Sequence, residues 1–131
     1  MSVNENPDAR KKMIVICDDN AALASLMQHL LRKQGFSVQI AGDGGEGLEL
    51  IRSTAPDLLL LDLAMPGIDG LAMLEKLQAF ESKRPYTIVI SNQEGKQKQA
   101  VALGSHEVWK KPFNAAELIA RIEALVAQGK F

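Results

Sequence analysis

The chain has 131 residues, 47% of them hydrophobic and 24% charged, with a formal net charge of −1. That length suits one globular domain with a core of its own, and the near-neutral charge leaves no basic footprint for nucleic acid. No apolar run approaches a membrane span, and no apolar block of the secretory kind opens the chain, so the composition predicts a cytoplasmic protein with neither membrane nor direct DNA contact.

Taken in order, Met1 to Lys12 are polar, contain Pro7 and end in Arg10-Lys11-Lys12, which predicts a flexible, solvated lead-in. A strand is expected over Met13–Cys17. Cys17 is the only cysteine, so it forms no internal disulfide, and its apolar neighbours mark it as a buried structural residue, not a nucleophile. Leu23, Leu26, Met27, Leu30 and Leu31 recur at steps of three and four, a helical stripe that Asn20 can cap and Gly35 can close. A strand over Phe36–Ile40, a helix around Glu46–Arg52, a strand over Leu58–Leu61 and a helix over Leu71–Phe80 follow. After them come a strand over Thr87–Ile90, a short helix around Gln97–Leu103 and a strand over Glu107–Trp109. The last helix carries Leu118, Ile122, Leu125 and Val126 on one face and starts at Asn114, with Glu117 completing a capping-box pattern. Five strands alternating with five helices predict an α/β fold, a doubly wound parallel sheet with helices on both faces.

In such sheets, ligands bind beyond the carboxyl ends of the strands. Asp18 and Asp19 directly follow the first strand and Asp62 directly follows the third. One acid alone is most simply a helix cap; three at one edge repel one another and call for a cation. Hard oxygen ligands with open water positions suit Mg²⁺. Ser91 follows the fourth strand and Lys111 the fifth, so a hydroxyl and an ammonium can face the acids. Lys111 read as a solvated surface charge is the competing account, and Pro112 beside it restricts its freedom to leave. A carboxylate, a metal and a cationic side chain together suit phosphoryl transfer, in which positioning and charge neutralisation do most of the catalysis. Asp62 is then the nucleophile, forming an acyl phosphate.

Asp18-Asp19, the run from Leu60 through Asp62-Leu63-Ala64-Met65-Pro66 to Gly70, Ser91, and Lys111-Pro112-Phe113 together resemble the receiver domains of bacterial two-component response regulators, in particular stand-alone chemotaxis-type receivers. Ala41 to Leu48 matches the family's second loop and helix start as well, and the likeness spans Met13 to Phe131. The resemblance implies a flavodoxin-like sheet with strand order 2-1-3-4-5 and a receiver domain over residues 13–131. It implies that Asp62 accepts phosphate from a sensor histidine kinase or a histidine phosphotransfer domain. It also implies Mg²⁺ held by Asp19, Asp62 and the Ala64 carbonyl, with Asp18 acting through water. Ser91 is expected to bond the phosphoryl oxygen, Lys111 to pair with phosphate and Asp62, and the Lys111–Pro112 peptide to be cis. The product is a phosphorylation-dependent switch read by a downstream protein target, catalysing only its own phosphorylation and dephosphorylation.

Two features depart from the family pattern. Three residues before Lys111 the family usually carries an aromatic ring; here the residue is Val108. The segment between Ser91 and Lys111 is also about two residues short, which predicts a shortened fourth helix. Both support an alternative: a receiver fold that works as a phosphorylation-independent interaction module. Strand alternation sends Trp109 to the side opposite Val108, a packing position. Gly42-Asp43-Gly44-Gly45-Glu46-Gly47 satisfies G-x-G-x-x-G, but it follows the second strand, whereas a dinucleotide fingerprint normally opens the sheet. An aspartate-nucleophile phosphohydrolase would want an acid where Ala64 stands. His29 and His106 have no partner at ligand spacing and are expected on the surface.

Overall fold

A computed structural model describes residues 12–80 and 83–131. Its five strands are β1 (Met13–Cys17), β2 (Ser37–Ala41), β3 (Leu58–Asp62), β4 (Tyr86–Ser91) and β5 (Glu107–Lys110). All pairings are parallel, in the order β2-β1-β3-β4-β5. The helices are α1 (Ala21–Lys33), α2 (Gly44–Thr54), α3 (Gly70–Leu77), α4 (Gln97–Ala102) and α5 (Ala115–Ala127). The expected lead-in lies outside the described residues, apart from Lys12. Among the described residues no helix is long and apolar enough to cross a membrane.

Local chemistry accounts for the element ends. Asn20 Oδ1 accepts the Leu23 N–H and Asn114 Oδ1 the Glu117 N–H, each at 3.1 Å, as N-caps do. Gly35 ends α1 at φ 103°, where the Phe36 and Gly35 N–H groups bond the carbonyls of Leu31 and Arg32. That pair of bonds needs a left-handed residue, so glycine is favoured there. The expected helix around Glu46–Arg52 begins earlier, at Gly44, because Asp43 Oδ1 accepts the Glu46 N–H at 2.8 Å and secures the first turn. Toward the other end, α3 stops at Leu77, short of the expected Phe80. The short segment after Ser91 forms a single 3₁₀ turn (Glu94–Lys96) and then the six-residue α4.

Period-two alternation divides the core between the two faces of the sheet. Ile14, Ile16, Leu58, Leu60, Ile88 and Ile90 pack with Met27, Leu31, Leu118, Ile122 and Leu125 of α1 and α5. Val15, Cys17, Leu59, Leu61 and Val89 pack with Ile51, Met73, Leu77 and Ala100 on the other face. β3 is buried at all five positions, as the central strand of a doubly covered sheet requires, and an unbroken apolar run is the sequence form of that environment. Trp109 joins the α1/α5 face and Val108 the opposite one, as their alternation predicted.

Candidate functional site

Register brings the acids together. Cys17 pairs with Leu61 and Asp62 with Ile90, so Asp18 and Asp62 leave adjacent strands side by side. Both continue the alternation of Ile16 and Leu60, and therefore both turn toward the α1/α5 side. Ile90 pairs with Trp109 and Ser91 with Lys110, so Lys111 shares the alternation of Trp109 and reaches the same side. The contacts follow from that parity. Lys111 Nζ donates to Asp62 Oδ2 at 3.1 Å and to Asp18 Oδ2 at 3.4 Å.

The remaining oxygens are held by backbone. Asp62 Oδ1 accepts the Ala64 N–H at 3.0 Å, and Asp18 Oδ1 accepts the Asn20 N–H at 2.9 Å. Asp18 and Asp62 are each 6% exposed, whereas Asp19 is open to solvent. Ligand oxygens of Asp18, Asp19 and Asp62 all lie within 4.8 Å of one another. Two buried acids and one exposed acid around a single point, with solvent on one side, fit a hard cation that retains water. Ala64 is exposed beside them.

Burial and neighbouring charge together set the proton affinities. Burial raises the Asp18 pKa above the ordinary carboxylate value; the Asn20 N–H opposes this, Asp62 adds to it, and Lys111 opposes it again without prevailing. For Lys111, burial works against the ammonium, but the bond to Asp62 and the charges of Asp18 and Asp62 outweigh it and hold the pKa above normal. Lys111 is therefore a fixed cation at neutral pH, facing more negative charge than it can neutralise.

Ser91 leaves β4 on the other parity. It opposes the alternation of Ile90, is buried, and its Oγ accepts the Gln93 N–H at 2.9 Å; no hydrogen bond among the described residues ties it to the acids. The Ser91 carbonyl does accept the Lys111 N–H at 3.1 Å, and the Lys111–Pro112 peptide is cis. An open cavity of about 300 Å³ beside Lys111 is lined by Asn20, Leu23, Asn92, Pro112 and Phe113. Reading the sequence missed Asn20 as a site residue, although an Asx directly after two acids at a strand end was the available signal.

A family model described as the response regulator receiver domain matches residues 14–123. The chain belongs to the response regulator receiver family. Among its relatives, the sensory transduction protein RegX3 of Mycolicibacterium smegmatis is 34% identical over 116 residues, covering 88% of this chain and 51% of that protein. The DNA-binding response regulator MtrA of Mycobacterium tuberculosis is 33% identical over 118 residues, covering 89% and 51%. The receiver chain thus spans about half the length of the curated relatives it matches. A signal receiver domain from Bermanella marisrubri is 32% identical and superposes with a TM-score of 0.82, covering 89% of this chain and 99% of that one. The expectation of no nucleic-acid contact is accordingly a statement about the receiver segment alone, since MtrA is a DNA-binding protein by its name.

The set-aside readings can be placed on the same fold. The Gly42 to Gly47 stretch lies at edge strand β2, and the α2 N-terminus, where a dinucleotide phosphate would sit, is capped by the receiver's own Asp43. Cys17 is buried, and burial with the nearby charges of Glu46, Asp43 and Asp18 pushes its thiol up to about 12, which removes it as a nucleophile. His106 is exposed but not idle: its Nδ1 accepts the Thr87 N–H at 3.0 Å and its ring stacks on Tyr86.

Proposed function

We propose that this receiver is a phosphorylation-dependent switch that takes a phosphoryl group onto Asp62 from a sensor histidine kinase or histidine phosphotransfer domain. The supporting observation is Lys111 bridging Asp62 and Asp18 within a three-carboxylate cluster. A carboxylate oxygen of Asp62 attacks phosphorus, the donor's bond to phosphorus breaks with its electron pair staying on the donor, and an acyl phosphate remains. The Ala64 N–H and Lys111 orient the Asp62 carboxylate before the attack. Lys111 then offers its charge to the incoming phosphoryl oxygens. Mg²⁺ held by Asp19, Asp62 and the Ala64 carbonyl, with Asp18 through water, would supply the remaining positive charge.

Once Asp62 is phosphorylated, the Ser91 hydroxyl donates to a phosphoryl oxygen, and the loop before α4, tied to Ser91 through the Gln93 N–H, moves with it. The face read by a downstream protein partner thereby changes. A cytoplasmic setting and an autophosphatase activity belong to the same reading. Acetyl phosphate with Mg²⁺ should label the wild type and leave Asp62→Asn unlabelled; equal labelling of the two excludes Asp62 as the acceptor.

Val108 favours a second reading. It stands on β5 and lines one surface cavity with Val101 of α4, where a small side chain offers no ring to couple phosphorylation to the surface, and this suits a phosphorylation-independent interaction module. Partner affinity unchanged by acetyl phosphate and Mg²⁺ would favour that module over the switch.

A further inference from the structure

The glycine motif Gly42-x-Gly44-x-x-Gly47 has no part in the function proposed above, yet its middle member meets the segment that carries the acceptor. A Cβ at Gly44 would lie 2.0 Å from the Ile68 carbonyl oxygen and 2.8 Å from the Ile68 Cβ. The nearer obstacle is backbone, which has no rotamer to escape into. Ile68 belongs to the connection between β3 and α3, the segment that begins at Asp62 and includes Ala64. The far end of that connection is pinned as closely: a Cβ at Gly70 would lie 2.8 Å from the Asp62 carbonyl oxygen and 2.6 Å from the Leu63 Cα. The Gly70 N–H bonds the Leu63 carbonyl at 3.0 Å, and Asp69 caps α3 through the Ala72 N–H at 2.9 Å.

From these contacts we infer that Gly44 is a positioning residue for phosphoryl acceptance: the first turn of α2 braces the connection from Leu63 to Asp69 and so fixes where the Ala64 backbone stands relative to the Asp62 carboxylate. α2 itself is anchored by its Asp43 cap and by Gly47, whose missing side chain makes room for Cys17 Sγ and Met73 Cε. The brace is therefore stiff on the helix side, and an added methyl group moves the loop. Gly45, one residue on, provides a matched comparison, because its Cβ would meet only Asp43 Oδ1 at 3.5 Å, an ordinary contact. Both alanine substitutions add the same helix propensity, so only Gly44→Ala disturbs the loop.

This inference rests on Asp62 as acceptor, and the experiment separates the two. Full-length wild type, Gly44→Ala, Gly45→Ala and Asp62→Asn are compared for acetyl phosphate labelling with Mg²⁺. Backbone amide shifts of residues 64, 65 and 67–69 are recorded for each without phosphodonor or metal. Gly44→Ala is expected to label about tenfold more slowly than wild type and to shift those amides, while Gly45→Ala matches wild type in both. Wild type that labels no better than Asp62→Asn overturns the acceptor reading, and the brace with it. If labelling is specific to Asp62, a folded Gly44→Ala that labels like Gly45→Ala with unmoved amides overturns the brace alone. Should Gly44→Ala not fold, Ile68→Gly removes the Cβ part of the contact and frees the loop backbone to move off Gly44; slowed labelling with shifted amides supports the brace and a wild-type rate overturns it.

Discussion

At the carboxyl ends of the strands, Lys111 faces Asp18 and Asp62, with Asp19 nearby; at the amino ends, Glu107 opens β5 beside Arg121 of α5. The two edges handle negative charge in opposite ways. Around Glu107, donors outnumber the acid: Arg121 Nε and one terminal nitrogen at 2.8–3.2 Å, the Tyr86 hydroxyl at 2.9 Å and the Trp109 indole N–H at 3.2 Å. Burial alone would raise the Glu107 pKa, but Arg121, Trp109 and Tyr86 together hold it below the ordinary value. Around Asp18 the acids outnumber the cation, and burial, with the Asp62 charge added to it, raises the pKa against the Asn20 N–H and Lys111. A carboxylate whose lone pairs are all met by the fold is structural. One left in surplus negative charge marks a candidate functional site.

Substitutions at either edge test this contrast. Lys111→Met should have the largest effect, lowering acyl phosphate formation by at least about 100-fold, as loss of a preorganised charge partner does; labelling near the wild-type rate would make Lys111 a structural ion-pair partner like Arg121. Next in size, Glu107→Gln should destabilise the domain by about 2 kcal/mol at neutral pH, since it weakens several charge-assisted bonds, while labelling stays unchanged. The sign of its pH dependence is definite. Glu107 has a depressed folded pKa, so its stabilisation is complete above the ordinary 4.5 and is lost as pH falls through the folded value. Acid titration of unfolding should show a shallower loss below pH 4.5 in Glu107→Gln than in wild type.

Metal binding should give a smaller shift. Mg²⁺ at ten times its dissociation constant should stabilise the wild type by about 1.4 kcal/mol, and Asp18→Asn combined with Asp19→Asn should abolish the gain. A gain that survives this change would place the ion elsewhere. The smallest effect belongs to His106, whose pKa is lowered by burial and by the Arg84 charge, with Glu107 opposing. Neutral Nδ1 accepts the Thr87 N–H, so the stability it contributes is complete above the ordinary 6.5 and is lost as pH falls through the folded value. His106→Asn keeps an acceptor without the proton, and its thermal midpoint should fall less than that of wild type as the solution is acidified below pH 6.5.

Much of this was legible in the residues because it is local. Each strand was found within one residue at either end; the buried strands β1, β3 and β4 are written as apolar runs, while the edge strands β2 and β5 mix polar and apolar residues. Asn20 and Asn114 were legible as caps because an N-cap bonds a backbone group two or three positions away. The Glu107 cluster was not legible. Its four side chains are spread from Tyr86 to Arg121, and neither charge alternation nor motif spacing links them. The shared contact of Gly44 and Ile68 was hidden for a similar reason, since a glycine fitted to a carbonyl in another loop leaves no pattern in its own neighbourhood.

The sequence by itself determined the order of elements, the fold class and the set of acids, hydroxyl and lysine at the strand ends, because hydrophobic period and capping act over a few residues. Tertiary pairing settled that Lys111 touches both Asp18 and Asp62, that Asp19 stays in solvent, and that the Ser91 hydroxyl accepts the Gln93 N–H. Those relations depend on strand register and on which side of the sheet each parity faces, and both are set by pairing between segments tens of residues apart.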